Sequence, residues 1–476
     1  MLAHMGKGPH MGKGLLVRAV AVAATLSLAL AGCGGSSKPK VPSALDPANH
    51  VPADAVAYAS VTVKPQGAMR SDLNAEIDAL AGAGAAKRLW GRLDARLDSD
   101  GKGVRQWLGQ RVGVALTGLP STLSGGAAAF ADDVVLVAPT GDPAAAAKFL
   151  SHHQSAGMSG KVVGDYAIFG GQKAVAAALA TTPATSLARS SSYRATVSEL
   201  GSGELVTVYA ALHPLAQALL PLLAAAGAPT QQPLAKLPQD ASAAYGLKVL
   251  SGEVQADIVT HGVARAAGSL AGADVGSLPG GSWLALALSG ALGNRSYLSK
   301  LAAALPRQLA ASSAASRLPA APLRFIEQDL LPALGPLELS VSGTSLPTLR
   351  AGLVIAPLDR AAGARLAAAV RRLVRGLPIR ASTAGGRVAV TFGYTSVSQL
   401  LSPSSTLAAN AAFKAALAQL PSGAHAEIYV SFPPLAALAA LDPSQRTAAL
   451  RKVLSRLRYL IAGGVPGHFR LVLATA

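Results

Sequence analysis

Five segments recur in the same order along this 476-residue chain, and that ordered repetition limits the fold more than any single motif does. Val51-Pro52 before Val56-Ala57-Tyr58-Ala59-Ser60-Val61 matches Leu278-Pro279 before Trp283-Leu284-Ala285-Leu286-Ala287-Leu288. Leu108-Gly109 before Val112-Gly113-Val114-Ala115 matches Leu334-Gly335 before Leu337-Glu338-Leu339-Ser340-Val341. Val134 to Pro139, then a helical run through Lys148-Phe149-Leu150, matches Leu353 to Pro357 and a run through Arg365-Leu366. Gly164 to Gly170 matches Gly386 to Gly393. In the fifth pair Tyr193, Leu200, Gly203, Tyr209, Pro214 and Leu215 recur 220 residues later as Phe413, Leu420, Gly423, Tyr429, Pro434 and Leu435. Alanine-rich sequence matches itself easily, but five matches in order at nearly constant spacing are not expected from composition. The expectation is two tandem copies of one module, residues 51–267 and 278–476. The Gly/Ala/Ser stretch Ala266 to Ser277 forms the boundary.

Within each copy, period-two apolar runs alternate with helical patterns. Lys161 to Phe169 and Ala243 to Thr260 read as hairpins around Gly164-Asp165 and Ser251-Gly252. Hairpins imply antiparallel pairing, so the fold class expected is α+β: a mainly antiparallel sheet packed with amphipathic helices. The longest helix is predicted from about Met69 to Arg96, on the spacing of Leu73, Ile77, Leu80, Leu89 and Leu93. An apolar fraction of 51% supports a buried core.

The N-terminus carries a different signal. Lys7, Lys13 and Arg18 precede an uncharged apolar run from Ala19 to Ala31, which ends in Leu30-Ala31-Gly32-Cys33. Leu-Ala-Gly-Cys is the pattern of a bacterial lipobox, in which the chain is cut before the cysteine and the thiol carries lipid. Cys33 is the only cysteine, which favours this reading over an ordinary signal cleavage that leaves Cys33 incidental. The run is shorter than the roughly 20 apolar residues of a spanning helix. The start codon stays open among Met1, Met5 and Met11, since Met-Gly-Lys-Gly occurs twice. Residues 1–32 are thus expected to be a lipoprotein signal peptide, and residues 33–50, opening with Gly34-Gly35-Ser36-Ser37-Lys38-Pro39-Lys40, a flexible tether. This places the protein on the extracytoplasmic face of the cell membrane, held through lipid on Cys33.

Charge narrows the partners. Removing Lys7, Lys13 and Arg18 with the leader, and no acid, lowers the formal charge from +18 to about +15. A basic exported chain can meet anionic lipid or wall polymer. Nucleic acid is not expected, because no aromatic-basic motif is present. One helical run, Asp359 to Arg375, carries Arg360, Arg365, Arg371, Arg372 and Arg375. A second is predicted from Ser444 to Ile461, with Arg446, Arg451, Lys452, Arg456 and Arg458 opposite an apolar stripe of Leu450, Val453, Leu454, Leu457, Leu460 and Ile461. The stripe is expected to pack on the sheet. Arg451, Lys452, Arg456 and Arg458 are then either an ordinary solvated face or candidate contacts to an anionic surface.

Catalytic patterns are weak. Asp98-Ser99-Asp100-Gly101 resembles the start of a calcium loop, but Asp100 as the fifth ligand position puts Arg96 and Trp107 at the first and twelfth, so a turn is expected. His152-His153 point about 100° apart on a helix and suit a helix C-terminus better than a metal. Gly-x-Ser-x-Gly is absent, and the Ser-x-x-Lys at Ser37 to Lys40 falls in the tether. No phosphate loop is present. No metal, cofactor or catalytic residue is expected.

With these residues in view, the chain resembles a family of uncharacterised bacterial, actinobacterial-type lipoproteins, domain of unknown function 3352. The matching features are the lipobox, Val51-Pro52-Ala53-Asp54 before a strand, and Trp107-Leu108-Gly109 leading into Val112-Gly113-Val114. The hairpin and the Tyr193 helix running into the Tyr209 strand also fit. The resemblance covers nearly the whole mature chain and implies location and architecture, with no functional residues to carry over. The expected role is a non-catalytic binding or scaffolding one, with a carrier of lipid or another hydrophobic ligand as the alternative and a hydrolase as a third class.

Overall fold

Runs such as Ala57-Tyr58-Ala59-Ser60-Val61 alternate residues to the two faces of a strand, and in this protein both faces are covered. The computed structural model describes residues 45–98, 104–119, 126–154, 158–225, 236–263, 274–288, 329–441 and 445–476. The chain divides into two units, residues 1–263 and 264–476.

In the first unit the strands are β1 (Ala57–Thr62), β2 (Arg111–Leu116), β3 (Val134–Pro139), β4 (Met158–Val163), β5 (Tyr166–Gly171), β6 (Val206–Ala211), β7 (Ser242–Leu250) and β8 (Glu253–His261). They lie in the order β8-β7-β6-β1-β2-β3-β5-β4, and neighbouring strands pair antiparallel. In the second unit β9 (Ser282–Leu288), β10 (Leu337–Ser342), β11 (Arg350–Ile355), β12 (Ile379–Ala384), β13 (Arg387–Phe392), β14 (His425–Ser431), β15 (Leu457–Val465) and β16 (His468–Thr475) lie in the order β16-β15-β14-β9-β10-β11-β13-β12. These pairings are antiparallel too. The α+β class with mainly antiparallel pairing is as expected, and both anticipated hairpins form, as β4–β5 and β7–β8.

The strand order of the second unit is that of the first with each index raised by eight. Local detail follows the same plan. The Leu187 N–H donates to the Val51 carbonyl at 2.7 Å, and the Leu407 N–H to the Leu278 carbonyl at 2.8 Å. Helix α5 (Ser191–Val197) puts Tyr193 edge-on to Tyr209 with ring centroids 5.2 Å apart, and α8 (Ala411–Leu417) puts Phe413 edge-on to Tyr429 at 5.1 Å. The recurring Leu-Gly has a steric cause. A Cβ at Gly109 would lie 2.7 Å from the Pro139 carbonyl oxygen, and one at Gly335 would collide with that of Ala356.

One face of the first sheet packs Tyr58, Ala115, Val135 and Ile168 against α5 and α4 (Gln172–Ala180). The other packs Val61, Val206, Val208 and Val249 against α1 (Gly67–Ala81) and α2 (Ala85–Asp98). Farther along that face, α3 (Pro143–His153) covers Ala138 and Ala167. Further helices are α6 (Leu212–Ala225), α7 (Arg360–Leu373), α9 (Phe432–Ala439) and α10 (Gln445–Leu454). No helix among the described residues is long and apolar enough to cross a membrane.

Three expectations need correction. The long helix from Met69 to Arg96 is two helices. Gly82 ends the first at φ +102°, and the Asp78 carboxylate accepts the Ala86 N–H at 2.8 Å to cap the second. The tether does not extend to His50. Pro47–His50 is a 3₁₀ turn capped by Asp46, and Ala48 is buried in the core that holds Tyr58. The C-terminal helix stops at Leu454, and Leu457–Val465 is β15.

Candidate functional site

The four C-terminal cations sit on three kinds of backbone. Arg451 and Lys452 occupy the last turn of α10, where cations face the negative end of the helix dipole. Arg456 lies in the turn that follows, its N–H donating to the Val453 carbonyl at 3.0 Å. Arg458 is the second residue of β15, at a bulge, since pairing with β16 shifts register between Leu457 and Tyr459. The structure therefore brings the four together within eight residues, but not on one helical face. Their apolar stripe is not buried as a unit: Leu454 is buried, whereas Leu450 is 51% and Val453 43% exposed. Leu457 and Ile461 belong to the strand, where Ile461 enters the core beside Tyr429. Helical spacing and strand alternation both fit a run this rich in leucine, and the sheet decides between them.

A second basic surface is carried by α7. Asp359 caps this helix by accepting the Ala361 N–H at 2.9 Å, and Ala362, Gly363, Leu366, Ala367 and Ala369 are buried. The helix ends in Arg371-Arg372-Leu373, and the chain continues through Val374-Arg375-Gly376-Leu377-Pro378 into β12. All four arginines here, Arg371, Arg372, Arg375 and Arg380, are exposed. So are Leu373 (70%) and Leu377 (58%). The charge pattern marks Arg371, Arg372 and Arg375 and passes over the leucines beside them. The signal was available in Gly376-Leu377-Pro378, which cannot continue the helix that would have buried Leu377.

At the other end of α7, a cleft of about 220 Å³ lies between Pro357–Ala364 and the Thr383–Gly386 turn. Its one charged side chain is the exposed Arg360, so it converges no chemistry.

The first unit holds an ion pair that is largely buried. Lys248 stands 3.3 Å from Glu204, with its ammonium donating to the Leu200 carbonyl at 2.6 Å. Arg111 Nη2 donates to the Glu204 carbonyl at 3.3 Å and to the Thr207 hydroxyl at 3.2 Å. Alongside them, Tyr58, Tyr193 and Tyr209 form an aromatic cluster. Burial, reinforced by the Asp46 carboxylate, pushes the phenols of Tyr58 and Tyr193 well above their ordinary value, and burial raises Tyr209. These groups hold the sheet face together.

His152 and His153 turn their Nδ1 atoms to the carbonyls of Lys148 and Phe149, at 2.6 and 2.8 Å, and His153 stacks on Phe149. They finish the last turn of α3. Among the described residues no group of three or more His, Cys, Asp or Glu is placed to hold a metal. The lipobox Leu30, Ala31, Gly32 and Cys33 and the loop Ser99 to Gly103 lie outside the described residues.

No family model, no curated protein and no solved structure matches this chain.

Proposed function

We propose that the chain is a lipid-anchored protein of the extracytoplasmic face of the cell membrane, built from two tandem copies of one α+β module, with a non-catalytic binding or scaffolding role. The observation that carries this is Leu30-Ala31-Gly32-Cys33, where the sole cysteine closes a short apolar run behind a basic segment. The duplication draws support from the shared strand order and from the paired Leu187 and Leu407 hydrogen bonds. The scaffolding reading draws support from the cores, which fill with their own side chains: Tyr58, Tyr209, Ile168, Phe413 and Ile461 are all fully buried. The resemblance to bacterial lipoproteins belongs to the same reading. Two acyl chains on Cys33 would hold the protein stably, which one would not. Arg451, Lys452, Arg456 and Arg458 would then add a screened attraction to anionic lipid or wall polymer.

The test is metabolic labelling with a clickable fatty acid in a bacterial host. The native chain is expected to carry label, and Cys33→Ala to lose it. A Cys33→Ala chain that is still labelled would overturn the reading. Mass spectrometry of the purified protein that shows a stoichiometric lipid held noncovalently would replace scaffolding with a carrier role.

A further inference from the structure

We infer that the end of α7 and the link into β12 form a second, non-covalent membrane contact, which takes the surface of an anionic phospholipid bilayer. The inference rests on the membrane location proposed above, but not on lipid at Cys33.

A helix on a sheet normally keeps its apolar residues on the sheet side. Helix α7 does so through Ala369 and then departs from the rule: Leu373 is the most exposed large apolar residue among those described, and Leu377 follows one turn later in the chain. Isolated exposed leucines are ordinary. This pair is not isolated, because Arg371, Arg372, Arg375 and Arg380 flank it within ten residues. None of the four has an ion-pair partner among the described residues. The segment leads into β12, the outermost strand at one side of the second unit's order, so among the described residues no further strand lies beyond it there. Exposed leucines between exposed arginines match an interface in which apolar side chains reach the acyl boundary and guanidinium groups stay at the phosphates. A soluble polyanion would engage the arginines and have no use for the leucines, which is why a bilayer is assigned.

The corresponding link in the first unit, between α3 and β4, sharpens the contrast. There the helix ends in His152-His153-Gln154, with neither arginine nor leucine, and both imidazoles are turned back onto helix carbonyls. The two units share a strand order, and only the second carries this chemistry at the helix end.

The experiment uses the mature chain, residues 33–476, with Cys33→Ala, so that neither leader nor lipid is attached. It is mixed with vesicles of phosphatidylcholine alone or of phosphatidylcholine with phosphatidylglycerol. Binding is expected to the anionic vesicles only, weakening as salt rises. Leu373→Ser with Leu377→Ser should lower vesicle affinity at least about tenfold while leaving binding to soluble polyphosphate unchanged. Arg371→Glu with Arg375→Glu should weaken both. As an independent reading, Leu373→Cys in the same background gives a single thiol for an environment-sensitive fluorophore, which should shift to the blue on anionic vesicles. Vesicle binding that survives the double serine change, a fluorophore that stays in water, or equal binding to both vesicle types would overturn the inference. Fatty-acid labelling of Cys33 is read separately, so failure of the anchor and failure of this contact are distinguishable.

Discussion

Lys248 and Glu204 face each other at 3.3 Å with 15% and 8% of their side chains exposed, an ion pair removed from most of its water. The ammonium spends its short hydrogen bond on the Leu200 carbonyl, so Glu204 depends on the proximity of the charge more than on an aligned hydrogen bond. Removing one partner leaves the other charge buried. Lys248→Met is expected to cost about 3–5 kcal/mol, and adding Glu204→Leu to recover most of that. Urea unfolding of the single and double variants measures both. A double variant no more stable than the single one would show that the pair does not act as a unit.

Gly109 and Gly335 test whether the two units obey the same steric rule. A methyl group at either position meets a carbonyl at the end of the neighbouring strand. Gly109→Ala and Gly335→Ala should each destabilise by about 1–3 kcal/mol. Gly281→Ala, where nothing lies within 4 Å, should change little. Thermal unfolding of the three variants decides. A tolerated alanine at one of the two positions would break the equivalence there.

Ser340 and Thr391 sit opposite Gly352 from its two neighbouring strands, with Leu400 packed over it. Both hydroxyls are buried without a hydrogen-bond partner. A hydroxyl that lost water and gained nothing in exchange should be better removed, so Ser340→Ala and Thr391→Val are expected to stabilise by up to about 1 kcal/mol each. Denaturant midpoints give the sign, and a loss at either site would point to a bond that the static geometry conceals.

The tyrosine cluster predicts alkaline sensitivity. The phenols of Tyr58, Tyr193 and Tyr209 are raised above the ordinary value of 10.0 by burial, so the folded state holds their protons more tightly than the unfolded chain does. The stability they contribute is therefore fully present below pH 10 and is lost as pH rises toward the folded values. Denaturant midpoints should be flat with respect to these groups from neutral pH to about pH 9 and fall above about pH 10. Spectrophotometric titration should show part of the tyrosine signal ionising only when the chain unfolds. If every tyrosine titrates near its ordinary value in the folded protein, the cluster is more open than the burial of Tyr58 and Tyr209 implies.

Elements whose pattern had a single solution were legible in sequence. The hairpin at Gly164-Asp165 was one, because a turn between two alternating runs leaves the chain nowhere else to go. Tyr209 lies on β6 and Tyr429 on β14, the sixth described strand of each unit, and in both the apolar alternation after a Gly marked the strand. Elements decided by tertiary contact were hidden. Leu450 to Ile461 fits a helix by spacing, and only pairing with β14 and β16 turns Leu457 onward into a strand. The break at Gly82 was visible in the glycines but was outvoted by the leucines around it. Of the candidate contacts, the positions of the arginines were legible. The exposure of Leu373 and Leu377 was not, because periodicity says which side a residue takes and not where the covered surface ends.

The strand order also sets a timetable. Ala57 pairs with Ala210 and Leu286 with Ile428, and in each case four other described strands lie between the partners in the chain. As each unit emerges, its first strand gains one neighbour early and waits for the sixth before its other edge is covered. The loop closed in that step grows in cost only with the logarithm of its length, so it burdens the rate of folding more than the final stability. A chain cut short of Ala211 or Ser431 would leave β1 or β9 with a bare apolar edge, the kind of surface that recruits another copy. Completion of the sixth strand is thus the moment at which each unit stops being a hazard to its neighbours.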